Sequence, residues 1–504
     1  MNGFLSPRRA GLMVLAALSG CTMIPDYKRP ALPVASTWPQ GPAYHAAAPG
    51  QIGTAASDLG WREFFVDRRL QALIALAVRE NRDLRSAAYA VVQAQGQYRV
   101  QHASLFPQIG STGAGIYQAP SSHAGLSFAP GLDSGRSGEA YGNGRVFKFY
   151  QAGIGFSSYE IDLFGRIRSL SREAADQVLS QAASERSLLI SVISQVATTY
   201  VAWLADTEQL RVTEQTLASQ KETLRLTQAG FDNGEANQLT LRQVETQVEQ
   251  AAANHAQYQR QVAQDENELV LLVGAPLPAN LPAPAPFGQQ TILADLPAGV
   301  PSDLLDRRPD IQSAEFSLLS ANDDIGAARA AFFPRLTLTA SDGVSSLQFR
   351  NLFTQGATTF GINPQIQIPL LTWGQNEGTL QASKALRNQR MEAYEKAIQT
   401  AFHEVSDALT ARATYLDQAR QLDALVASSA DAYKLARMRF DAGVDSYLNT
   451  LDAQRTLYGA QQSRISVHEA RYQNLITVYR ALGGGWTEQT VPPARGVAAA
   501  TQKG

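Results

Sequence analysis

One stretch, His403-Glu404-Val405-Ser406-Asp407, comes near the His-Glu-x-x-His spacing that sets two zinc ligands one helical turn apart beside a general base. Asp407 stands where the second ligand would be, and the stretch lies in a heptad-patterned segment. Its side chains therefore read as packing or solvent-facing groups. The other histidines (His45, His102, His123, His255 and His468) form no ligand spacing. No Gly-x-Ser-x-Gly elbow and no Walker-type phosphate loop occurs, so no catalytic residue, cofactor, metal or energy-coupling site is expected. Cys21 is the only cysteine in 504 residues, which excludes a disulfide framework and a cysteine metal cluster.

The chemistry of Cys21 is of another kind. Arg8 and Arg9 precede an apolar stretch, Ala10 to Leu18, that is too short to span a bilayer. Leu18-Ser19-Gly20-Cys21 then resembles a lipoprotein signal-peptidase site. Cleavage would remove residues 1–20 and leave Cys21 as the first mature residue, its thiol carrying a diacylglycerol anchor.

The formal charge is −2, and losing Arg8 and Arg9 makes it more negative, so no nucleic-acid partner is suggested. Beyond the leader we expect no transmembrane helix. A membrane crossing by the mature chain would then require a closed β-barrel.

The elements that must position any site come in two copies. Phe106-Pro107 and Phe333-Pro334 each open a strand-like run, and Leu163-Phe164-Gly165-Arg166 matches Leu371-Thr372-Trp373-Gly374-Gln375. Phe231-Asp232-Asn233-Gly234 likewise matches Phe440-Asp441-Ala442-Gly443. Gly165 to Gly234 and Gly374 to Gly443 are both 69 residues, and Gly234 to Gly274 and Gly443 to Gly483 are both 40. Loops drift in length, so equal lengths in diverged copies mean that both reach the same two planes. As helices these segments would be about 100 Å and about 60 Å long. A shorter helix is expected to open each copy, over Leu70 to Phe106 and Ser302 to Phe333.

Periodicity supports helices. Val178, Ala182, Leu189, Val192, Val196 and Trp203 keep 3–4 spacing with Glu185 and Thr199 filling the gaps, as do Tyr394, Ile398, Ala401, Val405, Ala408 and Tyr415 with Arg412 in the gap. An offset stripe (Leu179, Ala183, Ile190, Ile193, Ala197, Leu204) gives the first long helix two apolar flanks. A wall of such helices can close into a cylinder, whereas a plain long bundle is the simpler alternative.

Segments 148–160 and 358–370 alternate with period two instead. Phe360, Ile362, Ile366 and Ile368 oppose Gly361, Asn363, Gln365 and Gln367, a polar set without charge that suits a water-filled lumen. Two strands per copy make four per chain, and a closed barrel needs at least eight. The chain is therefore expected to oligomerise, as a dimer or a trimer by strand count alone. Residues 119–147 read as an extended surface loop.

Four segments carry a resemblance to a known family: DLFGRIR (162–168), RRPDIQSAEFSLLSANDDIGAARAAFFPRLTLTA (307–340), RFDAGVDSYLNTLDAQRTLY (439–458) and ALGGGW (481–486). The chain resembles the TolC-like outer-membrane efflux factors, and most closely the lipid-anchored NodT type that serves resistance-nodulation-division pumps. The resemblance implies a homotrimer with a 12-stranded outer-membrane β-barrel continued by a long periplasmic α-helical barrel. It implies an acylated Cys21, hairpin tips that meet a periplasmic adaptor protein, and an inner-membrane pump as energy source. It also implies a periplasmic gate at the second hairpin: Leu448 as an apolar constriction, Asp452 as a carboxylate ring, and Arg455 as an ionic partner. Relatives often carry tyrosine at the position of Phe440, so a latch through that hydroxyl cannot form here. Asn233, Gly234, Glu235, Asp441, Gly443 and Asp445 are the tip residues expected to contact the adaptor.

The expected organisation is a leader (1–20), a lipid-anchored N-terminal segment and linker (21–66), repeat 1 (67–280), an inter-repeat linker (281–301), repeat 2 (302–486) and a flexible tail (487–504). The expected function is a passive outer-membrane duct for drugs or other small toxic compounds. A duct dedicated to metal ions or proteins, and a non-transporting lipoprotein that braces the envelope, are the alternatives.

Overall fold

A computed structural model describes residues 22–39, 41, 56, 58–118, 147–288, 292 and 303–489. Cys21 and nearly all of the expected surface loop lie outside the described residues. The chain forms two compact units, one of residues 1–29, 93–178 and 316–391, the other of residues 30–92, 179–315 and 392–504.

Both repeats have the same order of elements. After a short helix α1 (Trp61–Phe64), repeat 1 runs α2 (Arg68–Glu80), α3 (Arg82–Ala103), β1 (Gly110–Gln118), β2 (Phe147–Ile161), α4 (Arg166–Asp232) and α5 (Gln238–Val273). Repeat 2 runs α6 (Asp303–Arg307), α7 (Pro309–Ala330), β3 (Arg335–Ser346), β4 (Thr358–Gln367), α8 (Gln375–Asp441) and α9 (Tyr447–Ala481). The two long helices α4 and α8 are each 67 residues, as the matched glycine spacing requires. Gly165, Gly234, Gly274, Gly374, Gly443 and Gly483 all have left-handed φ, between 71° and 84°. Each ends or begins a helix where a side chain would be strained.

The opening helices differ from the expectation of one continuous helix each. The first breaks at Asn81 and the second at Arg308. Pro309 cannot continue a helix from the preceding turn and restricts Arg308, but it suits the first position of a new one. Asn81 accepts from the amides of Asp83 and Leu84 at 2.9 and 3.0 Å, which makes it the N-cap of α3.

In the second unit the apolar stripes are buried along most of their length, although Leu179 at the start of the offset stripe is 46% exposed. Ala183, Ile190, Ile193, Ala197 and Leu204 on α4 are at most 7% exposed, and Tyr394, Ile398, Ala401, Val405 and Ala408 on α8 at most 3%. One window of α4 is apolar enough by composition to cross a membrane, with mean hydropathy 1.6, contrary to the expectation that none existed. Because 56% of that window is buried in the protein, its apolar residues serve helix packing. The base of this unit is an aromatic and polar core. Phe64 stacks on Tyr479 with ring centroids 3.9 Å apart, and the buried Tyr200 hydroxyl donates to Asp67 at 3.0 Å while Asp67 caps α2. The amides of Trp61 and Arg62 donate to the carbonyls of Thr487 and Glu488, so the tail starts as a tied segment.

In the first unit the four strands form one antiparallel sheet in the order β1-β2-β3-β4. The two repeats thus meet at the β2–β3 pair. Glycines sit where these strands approach most closely: a Cβ on Gly153 would lie 2.7 Å from the Asp342 carbonyl oxygen. Register places Ile154, Phe360, Ile362 and Ile366 on one face, and they are 58–72% exposed. Asp342 pairs with both Ile154 and Phe360 on that same apolar face. Pro364 sits in β4, an edge strand, where a missing N–H is tolerated. The N-terminal segment is held to this unit by Asn322 and Arg329, which donate to the carbonyls of Pro25 and Met23 at 2.9 and 3.3 Å.

Candidate functional site

The two hairpin tips are built by one backbone device. At the first, the amides of Gly234 and Glu235 donate to the carbonyls of Phe231 and Gly230, at 3.0 and 2.8 Å. At the second, Gly443 and Val444 donate to Phe440 and Arg439, at 2.8 and 2.9 Å. This is the glycine-terminated helix end in which two outer carbonyls are satisfied by turn amides. Asn237 caps the returning helix α5 through the Thr240 amide at 2.8 Å.

The tips differ in charge. Asp445 accepts two hydrogen bonds from the Arg439 guanidinium, at 2.6 and 3.1 Å, and Asp441 pairs with Arg437 at 3.4 Å. The Arg439 guanidinium holds the Asp445 carboxyl below the usual carboxylate range. Asn233 and Glu235, at the first tip, are exposed. Two of the tip acids expected to contact the adaptor, Asp441 and Asp445, are thus also engaged within the chain, a clamp that Arg437 and Arg439 provide and that their sequence positions did not disclose.

Just beyond the second tip lie the expected gate residues. Phe440 packs edge-on against Tyr447, with centroids 5.3 Å apart, so its ring is used for packing at the start of α9. Leu448 is 55% exposed, and Asp452 and Arg455, on the next two turns, are exposed as well. Among the described residues neither Asp452 nor Arg455 makes an ion pair, including with each other. The opposite face of α9 is held in the wall: Thr450 and Gln454 are 2% and 7% exposed, and the Thr450 hydroxyl donates to the Ala436 carbonyl at 3.2 Å. An apolar side chain and two unpaired charges are therefore presented on one side of a helix fixed by its other side.

Higher along the hairpins a polar seam runs between α4, α5 and α9. Thr213 and Tyr458 share a hydrogen bond at 2.8 Å, Gln462 donates to the Tyr258 hydroxyl at 3.0 Å, and Gln209 donates to the Gln462 carbonyl at 3.1 Å. The seam ends in three carboxyls, Asp206, Asp265 and Glu469, one from each helix. Burial, reinforced by Asp206 and Asp265, pushes the Glu469 carboxyl up to about 7. Burial and the Asp206 charge push Asp265 up to about 6. A second acidic group joins α4 to α7, where burial and neighbouring carboxylates raise Glu173 to about 7 and Asp323 to about 6. Sequence reasoning missed both, because each group is assembled from helices far apart in the chain.

The zinc-like stretch has other uses. Glu404 accepts from Arg308 at 2.8 Å, and the exposed His403 and Asp407 lie 3.4 Å apart. Among the described residues no group of three or more histidine, cysteine or acidic side chains is arranged to hold a metal ion.

The chain matches the outer membrane efflux protein family over residues 73–275 and 300–484, one segment per repeat. It is 42% identical over 487 residues to the toluene efflux pump outer membrane protein TtgC of Pseudomonas putida, covering 97% of each chain. It has the same identity and coverage to the antibiotic efflux pump outer membrane protein ArpC of Pseudomonas putida. Among solved structures, the open state of the Neisseria gonorrhoeae MtrE outer membrane channel superposes with a TM-score of 0.83 at 33% identity, covering 94% of this chain and 100% of that one.

Proposed function

Because this chain belongs to the outer membrane efflux protein family, we propose that it is the passive exit duct of a tripartite efflux system, lipid-anchored at Cys21 and assembled as a homotrimer. The chain is an outer-membrane efflux component with a helical periplasmic portion. One observation carries assembly into a closed barrel: among the described residues the four strands pair only with one another, leaving the outer edges of β1 and β4 open, and the family resemblance selects three copies. A sheet exposed to lipid cannot keep open edges, since each unpaired backbone group there costs several kcal/mol. Three copies joined edge to edge give twelve strands, with the apolar face of Ile154, Phe360, Ile362 and Ile366 toward lipid and the Gly, Gln, Asn and Thr face lining the lumen.

The gate follows from threefold repetition of α9. Leu448 narrows the lumen, the Asp452 carboxylates form a ring that favours cations, and Arg455 finds its partner on a neighbouring subunit. Opening separates these rings as the tips of the second hairpin untwist. The tips dock on a periplasmic adaptor, and a resistance-nodulation-division transporter in the inner membrane supplies the energy; the duct itself performs no catalysis. Toluene and antibiotics are named for the relatives, so small apolar or amphiphilic toxic compounds are the substrate class we assign here.

The test is accumulation of a fluorescent dye and of antibiotics in cells with and without the gene. Higher accumulation in the deletion, reversed by the wild-type gene, is the expected result. Unchanged accumulation, together with no conductance from purified protein in planar bilayers, would favour a structural lipoprotein instead.

A further inference from the structure

Within one chain the two repeats are joined by an aromatic pair. Phe164, just after β2, stacks on Phe333, just before β3, with ring centroids 4.7 Å apart and planes 23° from parallel. Trp373 follows Phe164 by 209 residues, the same interval that separates Gly165 from Gly374. Phe106 stands in the first copy where Phe333 stands in the second, each followed by proline and the first strand of its copy. Trp373 and Phe106 are thus the counterparts of the stacked pair, yet they are 89% and 62% exposed. Strand order explains the difference. β2 and β3 are neighbours, so the residues flanking them can meet, whereas β4 and β1 are the two edges of the sheet.

The helices beside the pair show the same imbalance. The opening turns of α4 lie against α7: a Cβ on Gly326 would sit 2.7 Å from the Ser169 hydroxyl, and Asp323 acts on Glu173. Ala327 on α7 is accordingly 8% exposed, but Val100, its counterpart on α3, is 72% exposed. On α8 the counterparts of Ser169, Glu173 and Asp176 are Gly378, Ala382 and Ala385, all exposed, and the counterpart of Asp323 on α3 is Gly96. Small uncharged residues stand on both open faces where the covered junction carries acids. Trp373 is also held at a φ of 49°, a left-handed backbone that is uncommon for a bulky residue, and among the described residues it makes no ring contact.

We infer that Trp373 stacks on Phe106 of a second copy of this chain, with Ala382 and Ala385 of α8 packed on Gly96 of that copy's α3. The stack rests on the trimer proposed above and gives it a specific subunit contact: the junction between copies repeats the junction between repeats. An offset aromatic pair then covers two of the most exposed rings in the described chain.

Full-length protein carrying Phe106→Cys and Trp373→Cys, treated in membranes with a short bismaleimide, tests the contact. Linked dimers and trimers on a denaturing gel are expected from the double variant and from neither single. Phe164→Cys with Phe333→Cys calibrates the reagent, since it should lose free thiol without joining subunits. A trimer that is intact on a native gel but yields no linked subunits, while the calibrating pair reacts, overturns the stack and leaves the trimer standing. A wild-type chain that runs as a monomer overturns both. Should the cysteine pair fail to assemble, heat dissociation of the trimer decides. Trp373→Ala, Phe106→Ala and their combination should then share one lowered temperature, whereas additive losses would exclude contact.

Discussion

Asn81 and Leu272 are 191 residues apart in sequence and joined by a hydrogen bond of 2.7 Å from the asparagine amide to the leucine carbonyl. Arg308 reaches the Ala481 carbonyl in the same way, at 3.1 Å. In both repeats, then, the residue at the break of the opening helix satisfies a carbonyl in the last turn of the returning hairpin helix. A left-handed glycine follows two residues on in each case, Gly274 or Gly483, and a Cβ there would lie 2.6 or 2.7 Å from the carbonyl oxygen of Glu80 or Arg307. The break is therefore a socket for the hairpin's end.

Asn81→Ala removes a helix cap and leaves the Leu272 carbonyl without its donor. Losses of about 1 kcal/mol for the cap and about 1–3 kcal/mol for the unsatisfied carbonyl are expected. Thermal unfolding followed by circular dichroism in detergent reads the sum. Asn81→Asp keeps the cap acceptor but not the donor, so it should recover only part of the loss, and a full recovery would remove the socket from the account.

The six turn glycines should not tolerate alanine equally. Gly234 and Gly443 have nothing within 4 Å of an added Cβ, so alanine there meets only the left-handed backbone, which costs about 1–2 kcal/mol. Gly274→Ala and Gly483→Ala add a backbone clash and should destabilise clearly more, or abolish assembly. Equal melting temperatures for the two classes would contradict the socket geometry.

Neutralising the proposed gate should be visible in single channels. Asp452→Asn combined with Arg455→Gln is expected to raise resting conductance and to weaken cation preference in planar bilayers, with little change in thermal stability because both side chains are exposed. Unaltered conductance and selectivity would move the constriction elsewhere on α9.

Stability should fall as pH rises toward neutrality. Glu469 and Asp265 have folded-state values of about 7 and about 6, above those of unfolded carboxyls, so the folded chain binds more protons in between. Their contribution is complete below about pH 4 and is lost as pH rises through about 6 to 7. The groups around Glu469 are Asp206 on α4, Asp265 on α5 and Gln473 on its own helix. Glu469→Gln should therefore flatten the decline of melting temperature between pH 5 and 8. It should not abolish it, since Glu173, Asp176 and Asp323 shift in the same direction. An identical slope in the variant would mean that the three carboxyls do not sense one another.

Much of the fold was legible because its determinants are local and repeated. A glycine that must turn left-handed is recognisable from its type, and six of them at matched intervals disclosed the lengths of four helices. The break at Arg308 is also signalled, by Pro309, although hydrophobic spacing alone predicts one continuous helix there. Asn81 carried a weaker sign, since asparagine caps a helix only when the chain around it has already turned. The acidic groups had no sign at all: Asp206, Asp265 and Glu469 are separate polar positions on three helices until packing brings them together.

What the sequence determined by itself is the order of the main elements, the lengths of the long helices, their two-fold repetition and the alternation that gives the strands at 148–160 and 358–370 an apolar and a polar face. These follow from backbone restriction and from the periods of helix and strand, which act over a few residues. What only the tertiary structure decided is which of those faces is satisfied within the chain. Phe164 finds Phe333 because β2 and β3 are neighbours, while Trp373 and Phe106, of like kind and at matching positions, stay exposed because β4 and β1 are edges. Burial of a ring depends on what lies beside it, and strand order, not residue type, sets that.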